Sequence, residues 1–474
     1  MPVMAQEHRI EKDTLGEVRV LAAAYWGAQT QRAVENFPVS GLRAHPALVR
    51  AMVMVKLASA RANRDLGKLD AALARPIEQT CEEVLGGKLL DQWVVDVFQA
   101  GAGTSFNMNT NEVLANRANE LLGRPLGSYR PVHPNDHVNM SQSTNDTFPT
   151  AMHLAAILLG GEVLAALCGL ADALATKGRE FDGITKSGRT HLQDAVPVRL
   201  GQEFAAYAEA VRRAGAALDR ALDDCREPAL GGSAAGTGLN THHENYAATA
   251  ILHLARVSGV ILRPAKDLRH AMQSMAPMAG VSAALRNLAL ELTRIANDLR
   301  LLASGPRTGL AEIRLPAVQP GSSIMPGKVN PSMAECLNMV AMQVVGGDAA
   351  VAMAVQAGQL ELNVMMPVIA HNVLFSMEIL KNFLPVFTER CVRGITADAD
   401  RCRAYFESSV GLATILNPYI GYAKAAEVAK ESVATGKTLR ELILEKGLMT
   451  EAALEKALDP KRITEPHDPK RGAP

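Results

Sequence analysis

Four stretches of the chain interrupt helical periodicity with hydroxyls, amides and glycine: Gly101 to Val113 (GAGTSFNMNTNEV), His133 to Asp146 (HPNDHVNMSQSTND), Ser187 to Pro197 (SGRTHLQDAVP) and Gly321 to Pro331 (GSSIMPGKVNP). Each lies near the start of a long helical segment. The first turn of a helix has unpaired backbone N–H groups and the positive end of the helix dipole, so hydroxyl- and amide-rich loops there suit carboxylates. The last stretch is the most pointed. A flexible glycine, the adjacent hydroxyls of Ser322 and Ser323, then Lys328 and Asn330, all ahead of a long helix, describe an anion-binding loop better than a turn. SQSTND and GAGTSFNMN, read alone, are a helix cap and a turn. His191, between Thr190 and Gln193, reads alone as a hydrogen-bonded core histidine, and its polar surroundings make it a candidate. Glu335, one turn into the helix after Pro331, is either a partner of the helix dipole or a carboxylate that orients His191. His133, Asp136 and His137 lack a third ligand at a standard spacing, so no metal is expected. No GxGxxG, GxxxxGK[ST] or GxSxG accompanies a strand, which argues against nucleotide binding and serine hydrolysis.

These loops need long helices to hold them. Aromatic residues make up 4% of the 474-residue chain while Ala and Leu abound, a composition that favours helix over strand and predicts an all-α protein. Leu285, Leu288, Leu292, Ile295, Leu299 and Leu302 alternate steps of three and four, the seam of a lengthwise-packed helix that Gly305 and Pro306 then stop. Further long helices are expected over Thr147 to Thr176, Arg199 to Glu227, Ser332 to Ala357 and Leu362 to Arg390, with Pro367 beginning or bending the last. Helices of about 20 to 30 residues run on the order of 30 to 45 Å, the dimensions of an elongated central bundle. Some are apolar nearly all round, so an obligate oligomer is expected. Shorter segments before Asn145 and short capped helices after Asp400 suggest three domains: 1–144, 145–399 and 400–474, ending in a charged, proline-rich tail expected to be disordered.

Balanced charge, 49 basic against 49 acidic residues, points away from nucleic-acid and membrane-surface partners. Six cysteines without a CxxC pair suggest reduced, mostly buried thiols. The first 20 residues mix charges of both signs without an apolar core, so the expected location is the cytoplasm. The nearly apolar run from Leu154 to Ala171 is interrupted by Glu162 and reads as a buried bundle helix.

GSSIMPGKVNP resembles the signature of the aspartase/fumarase superfamily. The similarity extends through RIEKDTLGEV, YWGAQTQRAVENF, HPNDHVNMSQSTND, GRTHLQDAVP, LGGSAAGTGLN and LNPYIGYAKAAE, nearly the whole chain. The resemblance implies an all-helical three-domain fold and a cofactor-free homotetramer whose composite active sites draw on three subunits. It also implies residue roles: Ser322 as base; Thr104, Ser143, Thr144 and Asn145 around one substrate carboxylate; Thr190 and His191 on the other side of the substrate. Lys328 and Asn330 would bind the second carboxylate, Ser323 would donate to developing charge, and Glu335 would be the acidic partner of His191. GAGTS, DAVP, Gln319 and GQLELNVM look like aspartases, whereas WGAQTQRA looks like class II fumarases and Met366 stands where many aspartases carry a glutamate. The implied activity is reversible deamination of L-aspartate to fumarate and ammonia by anti elimination. Hydration of fumarate to L-malate is the alternative, and a catalytically silent structural or binding protein is a third reading.

Overall fold

The computed structural model describes residues 7–466. The chain opens with an antiparallel hairpin, β1 (His8–Asp13) and β2 (Gly16–Leu21), followed by α1 (Ala28–Asn36), α2 (Pro46–Asp65), α3 (Ala71–Leu85) and α4 (Thr104–Leu121). Then come α5 (Thr144–Glu180), the hairpin strands β3 (Thr185–Thr190) and β4 (Gln193–Arg199), α6 (Leu200–Asp224), α7 (Tyr246–Ser258), α8 (Leu268–Gln273) and α9 (Ala276–Leu302). Strand β5 (Ile313–Arg314) precedes α10 (Ser332–Gln356) and α11 (Met366–Arg390), and β6 (Thr396–Ala397) pairs back onto β5. The chain closes with α12 (Ala399–Ser408), α13 (Leu412–Ile420), α14 (Tyr422–Thr435), α15 (Leu439–Glu445), α16 (Glu451–Ala457) and α17 (Pro460–Ile463). The all-α expectation holds, since strands among the described residues occur only as two-stranded pairs.

The long helices fall where the sequence places them. All six residues of the leucine seam in α9 are buried. Pro367 sits in the first turn of α11, where a missing N–H costs nothing, while Pro149 and Pro385 lie inside α5 and α11. The sequence reading missed the 20-residue α2, which begins at Pro46 behind a His45 cap. The end of the chain departs from the expected disorder. Residues 459–466 instead carry the Asp459-capped α17, and Arg199 holds Thr464 at 2.6 Å and Glu465 at 2.7 Å; residues 467–474 lie outside the description.

By backbone contacts the chain forms two compact units, and their boundaries fall within α5, α6, α9, α10 and α11. The first comprises residues 1–165, 215–289 and 340–381; within it α2 packs on α3 and α7, and α4 packs on α1 and α3. The buried Glu112 of α4 accepts from the backbone N–H groups of Gly27, Gln29 and Thr30 and from the Thr30 hydroxyl, so WGAQT forms an anchored helix start. The second unit comprises residues 166–214, 290–339 and 382–474. There α12 and α13 pack on the β3–β4 hairpin, and α13 to α16 enclose a core of Leu412, Leu416, Val428, Leu442, Ile443 and Leu454. Four of the six thiols are buried, as expected for reduced cysteines.

By length and hydropathy α5 and α10 could cross a membrane, but 56% of the apolar window of α5 is buried within the chain itself. In α10 the figure is 33%, and Met339, Met342 and Met353 stand about two-thirds exposed. An apolar helix left bare in a single chain calls for a covering surface.

Candidate active site

Within the first unit, the starts of α4 and α5 come together. Gly103 has φ +83°, and a Cβ there would lie 2.2 Å from the Phe148 ring of α5, so the GAGTS turn requires glycine at this position. Ala102 N–H donates to Val364 O at 2.7 Å, tying the turn to the GQLELNVM segment. This sets Thr104, exposed, at the first position of α4. One turn on, Asn107 Nδ2 donates at 3.0 Å to the buried Thr144 Oγ1 at the head of α5. Ser143 caps α5, its Oγ accepting from Asn145 N–H at 3.2 Å and its own N–H donating to Asp146 Oδ1 at 3.0 Å. The cap reading of SQSTND is thus correct as local structure, yet the Ser143 and Thr144 hydroxyls keep their protons to donate. Asn145 gives its amide Nδ2 to Ala234 O at 2.9 Å, which leaves Oδ1 as an acceptor.

Beneath this surface lies a buried polar network that sequence reasoning missed. Lys56 Nζ donates to Asn139 Oδ1 and Gln142 Oε1, both at 3.0 Å, and Asn139 Oδ1 also receives Asn107 and Asn111 at 3.2 Å. Burial pulls the Lys56 ammonium down to about 7, against the pull of Asp146. Burial pushes Asp146 up to about 6, opposed by the N–H groups of Ser143, Ser233 and Gly231 and by Lys56. The available signal was a lone lysine inside the apolar run AMVMVKLASA.

The second unit holds the remaining candidates in two places. Thr190 and His191 form the tip of the β3–β4 hairpin, where Thr190 pairs with Gln193 and both His191 and Leu192 take positive φ, 55° and 58°. The His191 ring is exposed, which corrects the reading of it as a core histidine. The loop Gly321 to Pro331 is closed on itself: Gly321 N–H donates to Lys328 O at 2.9 Å, and Asn330 Nδ2 donates to Gly321 O at 2.7 Å. Within it, Ser322 Oγ accepts two backbone N–H groups, from Ile324 at 3.2 Å and Met325 at 3.0 Å. Ser323 and Lys328 are exposed, and Lys328, Asn330 and Glu335 share a cavity of about 610 Å³ with Arg300, Arg314 and Arg401. Among the described residues no hydrogen bond or ion pair joins His191 to Glu335. His133 and His137 serve the local backbone: Nδ1 of His133 accepts from Asn135 and Asp136, and Nδ1 of His137 accepts from His133.

Clusters of hydroxyl, amide and ammonium donors at helix starts, with one hydroxyl oxygen cradled by amides, suit elimination from a small acid. The comparisons agree with that class. Residues 16–346 match the sequence model of a family described as Lyase, and residues 412–465 match that of the Fumarase C C-terminus. The chain belongs to this lyase family, in which aspartate ammonia-lyases and class II fumarate hydratases are its relatives. The aspartate ammonia-lyase of Bacillus subtilis is 47% identical, covering 97% of each chain. The class II fumarate hydratase of Halobacterium salinarum is 51% identical, covering 97% of this chain and 98% of its own. Among solved structures, the fumarate lyase:delta crystallin of Brucella melitensis bound to cobalt superposes with TM-score 0.94 at 51% identity, over 97% of this chain and 100% of that one.

Proposed function

We propose that the protein is an aspartate ammonia-lyase, interconverting L-aspartate with fumarate and ammonia, and that Ser322 is its base. The observation carrying this reading is the pair of N–H groups aimed at Ser322 Oγ, because donors fixed on an oxygen stabilise its deprotonated form and make an otherwise weak base available. The alkoxide takes a proton from the carbon beside the side-chain carboxylate of aspartate. The electron pair moves into that carboxylate, and the resulting aci-carboxylate is met by the hydroxyls of Thr104, Ser143 and Thr144 and by Ser323. Lys328 and Asn330 hold the other carboxylate. As the electrons return to form the C=C bond, the C–N bond breaks and the protonated amine departs as neutral ammonia. Asn145 Oδ1 has the polarity to hold an ammonium group, with Thr190 and His191 on the opposite side and Glu335 orienting the imidazole. No cofactor or metal takes part in this scheme.

The full site assembles in a cytoplasmic homotetramer without nucleic-acid or membrane partners, whose subunits cover the bare methionine face of α10 and complete one another's clusters. Its domains are 1–144, 145–399 and 400–474. A class II fumarate hydratase is the second reading, favoured by the 51% identity to the Halobacterium salinarum enzyme and by WGAQTQRA. That motif has a structural duty here on Glu112, so it carries less weight for substrate choice than GAGTS or DAVP. Purified protein is incubated with fumarate, with and without ammonium, and the products identified. Aspartate formed only with ammonium supports the proposal; malate in both incubations supports the hydratase.

A further inference from the structure

The second unit contains a buried charge cluster that the elimination scheme does not use. The Glu312 side chain is fully buried, with one oxygen 2.9 Å from Arg189 Nη1 and the other 2.8 Å from Lys186 Nζ, which in turn lies 2.8 Å from Glu203 Oε1. Lys186 and Arg189 belong to β3, and the residues after Arg189 are Thr190 and His191. Glu312 immediately precedes β5 and stands on the segment that runs into the Ser322 loop. Its backbone is fixed as well, the N–H donating to Leu302 O and the C=O accepting from Asp398, both at 2.9 Å. One carboxylate therefore joins the strand that carries the hairpin tip to the strand from which the base loop departs.

Two physical arguments give this junction a purpose. Buried ion pairs add little net stability over apolar side chains of the same volume, whereas a carboxylate that accepts a charge-assisted bond from Arg189 on one oxygen and holds the Lys186 ammonium close to the other ties two side chains of β3 to one point. The hairpin tip also needs fixing. A two-residue turn with both residues at positive φ favours Asn and Gly, yet His191 and Leu192 occupy it, and Leu192 is 71% exposed, so little packing holds it in place. Such a strained turn keeps its shape only where the flanking structure over-determines it. We infer that Glu312 is a positioning residue, setting Thr190 and His191 on the hairpin in register with the Ser322 loop; this rests on the lyase reading above.

The test compares Glu312→Gln with an apolar double variant, Glu312→Leu with Arg189→Met, which leaves the Lys186–Glu203 pair in place. Misplacing reacting groups by about an ångström costs on the order of 100-fold in turnover. The expected result for Glu312→Gln is a fall in kcat of that order with KM within about threefold of the wild type. The double variant should recover the wild-type melting temperature but not its kcat, a split that a purely structural role would not give. If Glu312→Gln does not fold, Arg189→Met, which leaves the Lys186–Glu312 pair in place, should lower kcat by about tenfold, with Arg189→Lys restoring part of it. Hydrogen exchange is read on the same proteins: amides 188–193 and 321–330 should exchange faster in Glu312→Gln while the rest of the chain is unchanged. Wild-type kcat in Glu312→Gln or in the double variant, or unchanged exchange at both segments, would overturn the inference. If the wild type catalyses neither deamination nor hydration, the lyase reading fails, and the exchange measurement still decides whether Glu312 couples the two segments.

Discussion

Lys328 is exposed, and among the described residues it pairs with no carboxylate, so its charge is available to a ligand. Lys328→Ala should lower kcat/KM by about 100-fold or more, since an ammonium held against a substrate carboxylate contributes a charge-assisted bond. Lys461→Ala, in α17, should change nothing, and steady-state kinetics with equal values for the two variants would show Lys328 to be a solvated loop charge. At this scale the sequence was legible wherever the chemistry is local. Ser322, Ser323, Lys328 and Asn330 fall within nine residues, and the loop that joins them is closed by its own backbone. Lys56 and Glu312 were not legible because their partners are remote. Lys56 meets Asn139 across 83 positions and Glu312 meets Arg189 across 123, distances over which no spacing rule operates.

Helices were readable because proline and glycine punctuate them and because their apolar positions repeat, as α9 and α11 illustrate. The β3–β4 hairpin was not. SGRTHLQDAVP read as a loop because its turn, His191-Leu192, lacks the Asn-Gly or Asp-Gly pair that marks such hairpins, and only the fold supplies the anchors that hold it. Within α5 one buried residue makes the stability of the helix pH-dependent. Both ring nitrogens of His153 are buried without a hydrogen-bond partner, and desolvation pulls the imidazole from 6.5 down to about 4. A group whose folded pKa is depressed contributes stability that is present above 6.5 and lost as pH falls through about 4, at most about 3 kcal/mol per chain over that window. His153→Leu removes the charging step, so melting curves recorded from pH 6.5 to 4 should fall less steeply than those of the wild type. Equal slopes would mean that the imidazole finds a proton acceptor in the folded protein.

For the whole molecule, the bare methionines of α10 support the proposal of an oligomer with shared sites. Light scattering should find a tetramer, and dilution to the monomer should abolish turnover, because the proposed carboxylate clamp draws on more than one chain. An active monomer would remove the composite-site argument. Composition and helix period anticipated the fold class. They could not anticipate two units whose boundaries lie inside five helices, since helix continuity in sequence hides where contacts divide. The most direct test of the elimination with Ser322 as base is the reverse reaction in D2O, with fumarate and ammonium followed by proton NMR. The wild type is predicted to form aspartate carrying one deuterium on the carbon beside the side-chain carboxylate, as a single diastereomer. Ser322→Ala should lose at least roughly 1,000-fold in rate, whereas Ser323→Ala, which removes a donor and not the base, should lose about 100-fold. Malate in place of aspartate, deuterium in both diastereomers, or near wild-type incorporation by Ser322→Ala would contradict it.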